Sequence, residues 1–128
     1  MIFFGHKFLK NEPLYLVETI EDVAKTPPSS LVLCPFSESN IAIMEHCATN
    51  GVRFATQASA LNEILYSSSL GASFIVVPKE LAQTAHNCAQ NYLFDAKILV
   101  EIDDENEIEK LAILGVDGVI YSCAIVQV

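Results

Sequence analysis

Apolar runs recur along this 128-residue chain at intervals of roughly 21 residues, and each run follows a turn that would end a helix. Between the runs, apolar residues recur three or four positions apart, which is the spacing of one helix face. Two parallel strands need a connection of about a dozen residues or more, usually a helix. The pattern therefore predicts alternating strands and helices. The five turn-and-strand segments are residues 30–35, 51–55, 71–78, 95–100 and 115–120.

Polar residues mark the places where the predicted helices begin. Thr19 and Asp22 have the spacing of a capping box, in which two side chains bond the backbone of the first turn. Ser59 is a predicted N-cap, and Asp103 with Asp104 would place negative charge at a helix N-terminus. The sequence thus predicts helices that start directly after strands.

These elements predict one α/β domain over residues 1–128. The expected architecture is an open three-layer sandwich, flavodoxin-like or Rossmann-like, with a mostly parallel sheet of five or six strands. The alternative is half of a (β/α) barrel whose open edge pairs with a second copy. Two short apolar segments, residues 2–4 and 123–128, are left open, since each could form a further edge strand.

The charge of the chain excludes some classes of partner. The formal net charge is −9, and the seven basic residues are scattered singly. Nucleic-acid binding needs clustered positive charge, so we expect no nucleic-acid partner, and anionic membrane surfaces are disfavoured for the same reason. No apolar run reaches the 18 or so residues of a membrane span. The amino-terminal residues do not resemble a signal peptide. Four widely spaced cysteines favour reduced thiols, so the expected location is cytoplasmic.

Six polar residues are predicted near the carboxyl ends of strands, where ligands bind in parallel sheets. A His-Lys pair could polarise a carbonyl group or bind phosphate, and a lysine after a strand could bind an anion. Helix capping or solvent exposure also explains such residues. No catalytic residue, metal site or cofactor is predicted, because no glycine-rich phosphate loop is present and the histidines lack the spacing of metal ligands. The candidate ligand-binding residues are His6, Lys7, Ser37, Thr56, Lys79 and Asp103.

Two segments resemble known barrel enzymes. Residues 100–120, which end in LGVDGVI, resemble the last strand–helix–strand unit of glycerophosphodiester phosphodiesterases. Residues 51–78 are similar to 2-keto-3-deoxy-6-phosphogluconate aldolases in their helix, LGA turn and apolar strand ending in proline. The resemblance implies barrel-like βα units. It does not imply either reaction, because the diesterases' H-R-G and E-x-D motifs are missing and Ile75 stands where the aldolases have their lysine.

Two functional hypotheses remain. The favoured one is a non-catalytic α/β module that acts by self-association, as a homo-oligomer, or by binding a partner. The apolar segment of residues 123–128 would add a strand across a sheet edge. The alternative is a small enzyme or sensor that binds an anionic metabolite at the carboxyl edge of the sheet through Lys79, Ser37 or Thr56. The missing acid–base pair favours a protein that is not an enzyme.

Overall fold

The computed structural model describes all 128 residues and contains one sheet of eight strands, in which every neighbouring pair is parallel. The order across the sheet is β1-β7-β6-β5-β4-β3-β2-β8. The strands are β1 (Ile2–Phe4), β2 (Leu14–Leu16), β3 (Leu31–Pro35), β4 (Phe54–Gln57), β5 (Phe74–Val77), β6 (Lys97–Glu101), β7 (Gly118–Ile120) and β8 (Ile125–Gln127).

Five helices connect the strands from β2 to β7 and pack on the outer face of the sheet. Their side chains join the outward-facing strand residues in a core of 22 buried residues. The longest helix has ten residues, and none is long and apolar enough to cross a bilayer. The helices are α1 (Ile20–Ala24), α2 (Ile41–Thr49), α3 (Leu61–Ser69), α4 (Ala82–Asn91) and α5 (Ile108–Leu114).

The inner face of the sheet forms a second core, to which none of the five α-helices contributes. The rings of Phe4 on β1 and Phe74 on β5 meet edge to face with 5.5 Å between centroids, although two strands separate β1 from β5. That contact requires the sheet to curl strongly, and the result is a half-barrel with the helices around it. The inner core consists of Phe4, Leu14, Leu31, Leu33, Ala55, Val76, Leu99, Ile120 and Ala124.

Both short terminal segments join the sheet as edge strands. β1 pairs with β7, so that Ile2 lies opposite Gly118, and β8 pairs with β2, so that Ile125 lies opposite Leu14. The sheet therefore has eight strands instead of five or six. Of the two predicted architectures, the half-barrel is confirmed. The three-layer sandwich does not form because all five helices lie on one face.

The predicted start of α1 is also confirmed. Thr19 Oγ1 accepts a hydrogen bond from the Asp22 N–H at 3.1 Å, and Asp22 Oδ2 accepts one from the Glu18 N–H at 3.0 Å. The second bond lowers the pKa of Asp22, because a backbone donor favours the charged carboxylate. The capping box thus fixes the turn between β2 and α1.

Candidate functional site

Two adjoining clefts lie at the carboxyl ends of the strands from β4 to β6. One has a volume of about 290 Å³ and the other about 270 Å³, and both are lined by Pro78 and Glu101. Glu101 follows the inward-facing Leu99 by two residues on β6, and Gln57 follows the inward-facing Ala55 on β4. Alternate strand residues share a face, so both polar side chains point toward the mouth of the half-barrel. We call the joined clefts the mouth trough.

A short acidic segment borders the mouth trough. Residues 103–107, which we call the acidic turn, connect β6 to α5 and include the 3₁₀ turn Glu105–Glu107. Lys79 Nζ, after β5, donates a hydrogen bond to Glu107 Oε1. His6 Nε2, after β1, lies 2.8 Å from Glu105 Oε1. The acidic turn is therefore held by side chains from two other loops.

The His6 side chain is only 8% exposed and is held on both ring nitrogens. Nδ1 accepts a hydrogen bond from the Phe8 N–H at 3.1 Å, which leaves Nε2 as the nitrogen that donates to Glu105. The rings of Phe3, Phe8 and Tyr121 surround the imidazole at centroid distances of 5.0–5.9 Å. His6 thus joins the loop after β1 to the acidic turn as a fixed, packed group.

Two buried polar atoms, one within the acidic turn and one beside it, make no hydrogen bond within the protein. They are Tyr121 Oη and Glu107 Oε2. Burial raises the pKa of Tyr121, and the nearby carboxylates of Glu105 and Asp104 raise it further. One atom is a hydroxyl that can donate and the other is a carboxylate oxygen that can only accept. The pair therefore has hydrogen-bonding capacity that the chain itself leaves unused.

Of the six candidate residues, the structure brings His6, Lys79 and Asp103 together around the acidic turn. Lys7 is exposed next to His6, with its Nζ 5.1 Å from the centroid of the Phe8 ring. Asp103 is exposed and lines the mouth trough. Lys79 lines it too, and its hydrogen bond to Glu107 raises the pKa of the lysine.

Ser37 and Thr56 lie apart from this group. Ser37 precedes the 3₁₀ turn before α2, and its hydroxyl is 3.1 Å from that of Ser39. Thr56 faces the helices, is fully buried, and donates a hydrogen bond to Ser67 Oγ at 2.8 Å. Its hydroxyl therefore serves the contact between β4 and α3.

Sequence reasoning missed Glu101, Glu105, Glu107 and Tyr121. A signal for Glu101 was available, because it ends a strand on the inward-facing register. No local signal distinguishes Glu105 or Glu107 from other carboxylates of a helix start. Their importance depends on Lys79 and His6, which come from distant parts of the chain.

The mouth trough is acidic. Glu80, Glu101 and Asp103 line it and make no ion pair, and its one lysine is already paired with Glu107. No group of three or more His, Cys, Asp or Glu side chains is arranged to hold a metal ion. The arrangement can donate hydrogen bonds from hydroxyls and attract positive charge, and it offers an anion no free cation.

The four cysteines are free, and two of them are fully buried. Burial raises the pKa of the Cys34 thiol to about 11 and also raises the pKa of Cys47, so both remain protonated near neutral pH. Cys123 is exposed near the mouth and its Sγ donates to the Gly5 carbonyl at 3.3 Å.

The largest cleft lies at the opposite end of the sheet. It has a volume of about 470 Å³ between the loops that precede β3 and β4. Its one cationic group, Arg53, is occupied by Glu12, at 2.7 and 3.2 Å, and by the Ser29 carbonyl at 2.8 Å. In barrels of parallel strands the amino-terminal end contributes stability, and ligands bind at the carboxyl end. We therefore place the candidate site at the mouth trough and acidic turn.

No protein-family model matches the chain, and no curated protein matches it.

Proposed function

We propose that this protein is a binding module for a small polar molecule, which it holds in the mouth trough. The observation that carries the proposal is the pair of adjoining clefts, about 290 and 270 Å³, that meet at Pro78 and Glu101. They lie where parallel α/β folds bind their ligands, at the carboxyl ends of the strands. Each cleft is close to the lower limit of small-molecule sites, so the ligand has the size of a metabolite.

The charges around the trough favour a cationic or neutral ligand over an anion. Three unpaired carboxylates line the larger cleft, and the ammonium group of Lys79 is held by Glu107. An anion would have to displace that carboxylate and approach the others. This modifies the earlier expectation of an anionic metabolite, while the location at the carboxyl edge remains the same.

Thermal unfolding in the presence of a compound panel tests the proposal. The panel holds primary amines and diamines, polyols, carboxylates and phosphate esters of metabolite size. A molecule that binds the native state stabilises it by about 3 kcal/mol at 100 times its Kd. We expect the midpoint to rise by several degrees with an amine or a polyol. A panel in which only anions raise the midpoint would contradict the proposed ligand class.

Two matched variants locate the binding. Glu101→Gln removes a carboxylate shared by both clefts, and we expect it to weaken an amine ligand about 10- to 150-fold, since hydrogen bonds to charged groups contribute about 1.5–3 kcal/mol. Glu45→Gln makes the same change on the exposed side of α2 and should leave the affinity unchanged. Equal affinities for both variants would place the ligand elsewhere.

The edge strand β8 supports a second candidate function, self-association. It is hydrogen-bonded on one side only, and Val126 and Val128 are 41% and 37% exposed. An open edge with exposed apolar side chains can pair with a strand of another chain. The geometry favours it less than ligand binding, because the inner core is already buried within a single chain and β8 is only three residues long.

Light scattering tests self-association. A homo-oligomer would give a multiple of the 14.0 kDa chain mass, and Val126→Lys would return it to the monomer mass, because charged edge residues oppose strand pairing. Glu45→Lys is a matched control on a helix. A wild-type protein that keeps the 14.0 kDa monomer mass when its concentration is raised 100-fold would exclude this candidate.

A further inference from the structure

The acidic turn separates two clefts. On one side lies the mouth trough, which Asp103 and Lys79 line. On the other side lies a cleft of about 280 Å³ that is lined by Gly5, His6, Lys7, Glu105 and Tyr121. We call it the tyrosine cleft. A movement of this single short segment would join the two spaces.

The contacts that hold the acidic turn closed are few and come from side chains. Lys79 bonds Glu107 and His6 bonds Glu105, so one residue from each flanking loop holds the 3₁₀ turn. Each contact joins a half-exposed side chain, Lys79 at 49% or Glu105 at 51%, to a more enclosed one, Glu107 at 25% or His6 at 8%. An ion pair with a half-exposed partner contributes little to stability, typically about 1 kcal/mol or less. Within the acidic turn, no residue is fully buried, and Asp103, Asp104, Glu105 and Asn106 are exposed.

The closed arrangement also has a cost. Tyr121 Oη and Glu107 Oε2 are buried without a hydrogen-bond partner in the chain, and a buried polar group in that condition destabilises the state that contains it. Five carboxylates within residues 101–107 also repel one another. Opening of the acidic turn relieves the first of these effects, since Tyr121 Oη and Glu107 Oε2 then reach solvent or a ligand.

We propose that the acidic turn is a movable partition, which opens when its bonds to Lys79 and His6 break and merges the mouth trough with the tyrosine cleft into one site. The merged site contacts a small neutral or cationic molecule that accepts a hydrogen bond from Tyr121 and donates one to Glu107. This deepens the proposed function and rests on it for the identity of the site, while the opening itself is a property of the free protein.

Hydrogen–deuterium exchange of the free protein tests the opening. In Lys79→Met one of the two bonds is lost, and we expect the amides of residues 103–108 to exchange about two- to fivefold faster. This factor corresponds to the free energy of up to about 1 kcal/mol that such an ion pair contributes. The amides of β6 and β7 should keep their rates. Lys97→Met is the matched control, since Lys97 is exposed on β6 and makes no ion pair. Glu105→Ala breaks the second bond and should act in the same direction as Lys79→Met.

Nitration of tyrosine by tetranitromethane, mapped by mass spectrometry, tests the merged space. If one opening equilibrium exposes both the amides and the hydroxyl, Lys79→Met accelerates Tyr121 nitration by the same factor as the exchange of residues 103–108. Tyr92, which is 70% exposed, serves as the internal reference and should not change.

Three results would overturn the partition. One is unchanged exchange of residues 103–108 in Lys79→Met and Glu105→Ala, and another is faster exchange shared equally with β6 and β7, which indicates global destabilisation. The third is faster exchange of residues 103–108 without faster nitration of Tyr121. That result is expected if a fixed water molecule bonds Tyr121 Oη and Glu107 Oε2 and the space around them stays closed. None of these results bears on ligand binding in the mouth trough, which the Glu101→Gln comparison decides separately.

Discussion

Tyr121 is the first residue after β7, and this position determines which face of the sheet its side chain packs against. It follows Ile120, which faces the inner core, so its ring turns to the outer face and packs with that core. Its backbone N–H still donates to the Phe4 carbonyl at 3.0 Å, which fixes the residue at the end of β7. The hydroxyl therefore lies beneath carboxylates, in a place that opposes its ionisation.

Alkaline titration at 295 nm should show this environment directly. Burial and neighbouring carboxylates raise the pKa of Tyr121, so we expect Tyr121→Phe to remove the phase that titrates at the highest pH. Because the folded-state pKa is above the unfolded one, the tyrosine's contribution to stability is complete below pH 10 and is lost as the pH rises through the folded-state pKa. A highest-pH phase that persists in Tyr121→Phe would contradict the assignment.

At the scale of elements, the close approach of β1 to β7 depends on Gly118. A Cβ atom at this position would lie 2.4 Å from the Ile2 carbonyl oxygen and 2.8 Å from Leu99 Cδ2. Both distances are well inside van der Waals contact, and the nearer atom belongs to the backbone. The first strand can therefore pair with the seventh only because residue 118 has no side chain.

We expect Gly118→Ala to destabilise the protein by about 3 kcal/mol, because the β1 backbone must move away. Urea unfolding gives the free energy. Gly71→Ala is the control, since its backbone has φ +94° but a Cβ there would meet nothing within 4 Å. It should cost about 1–2 kcal/mol, because a left-handed backbone is unfavourable for a residue with a side chain. Equal losses of unfolding free energy in the two variants would show that β1 moves away from the methyl group added at residue 118 without a further loss of stability.

A second element-scale contact joins β4 to α3 through the buried hydroxyls of Thr56 and Ser67. Thr56→Val or Ser67→Ala alone leaves one hydroxyl buried without its partner, and we expect a loss of about 1–3 kcal/mol from each. The double variant should lose less than the two single losses added together, because no unpaired hydroxyl remains. Additive losses in urea unfolding would mean that the two hydroxyls do not interact.

At the scale of the whole molecule, periodicity predicts the βα units well, because buried strands and glycine turns are local signals. The strand count and the curl could not be read in the same way. β1 and β8 are three-residue segments whose pairing depends on distant partners, Gly118 and Leu14. The candidate site was predictable to the same extent. The positions of His6, Lys79 and Asp103 follow from strand ends, whereas the pairing of His6 with Glu105 and of Lys79 with Glu107 follows only from the folded geometry.

The net charge of −9 predicts a response of the whole molecule to salt. Self-repulsion destabilises a compact acidic protein, and the screening length falls from about 30 Å at 0.01 M to about 10 Å at 0.1 M. We expect the urea midpoint at pH 7 to rise between 10 and 300 mM NaCl. The corresponding gain in the free energy of unfolding should be about 1 kcal/mol. Near pH 4.6, the isoelectric point, the same salt series should have little effect. A midpoint that falls with salt at pH 7 would show that ion pairs such as Arg53–Glu12 dominate.

The two edge pairings have a consequence for the order in which the protein is made. A ribosome releases β1 and β2 before β7 and β8, so β1 has no partner until Gly118 emerges, and one side of β2 has none until Ile125 emerges. Until then the nascent chain presents unpaired strands and uncovered inner-core residues such as Leu14. Changes in β7 or β8 should thus reduce the yield of folded protein in cells more than their effect on the finished molecule would suggest.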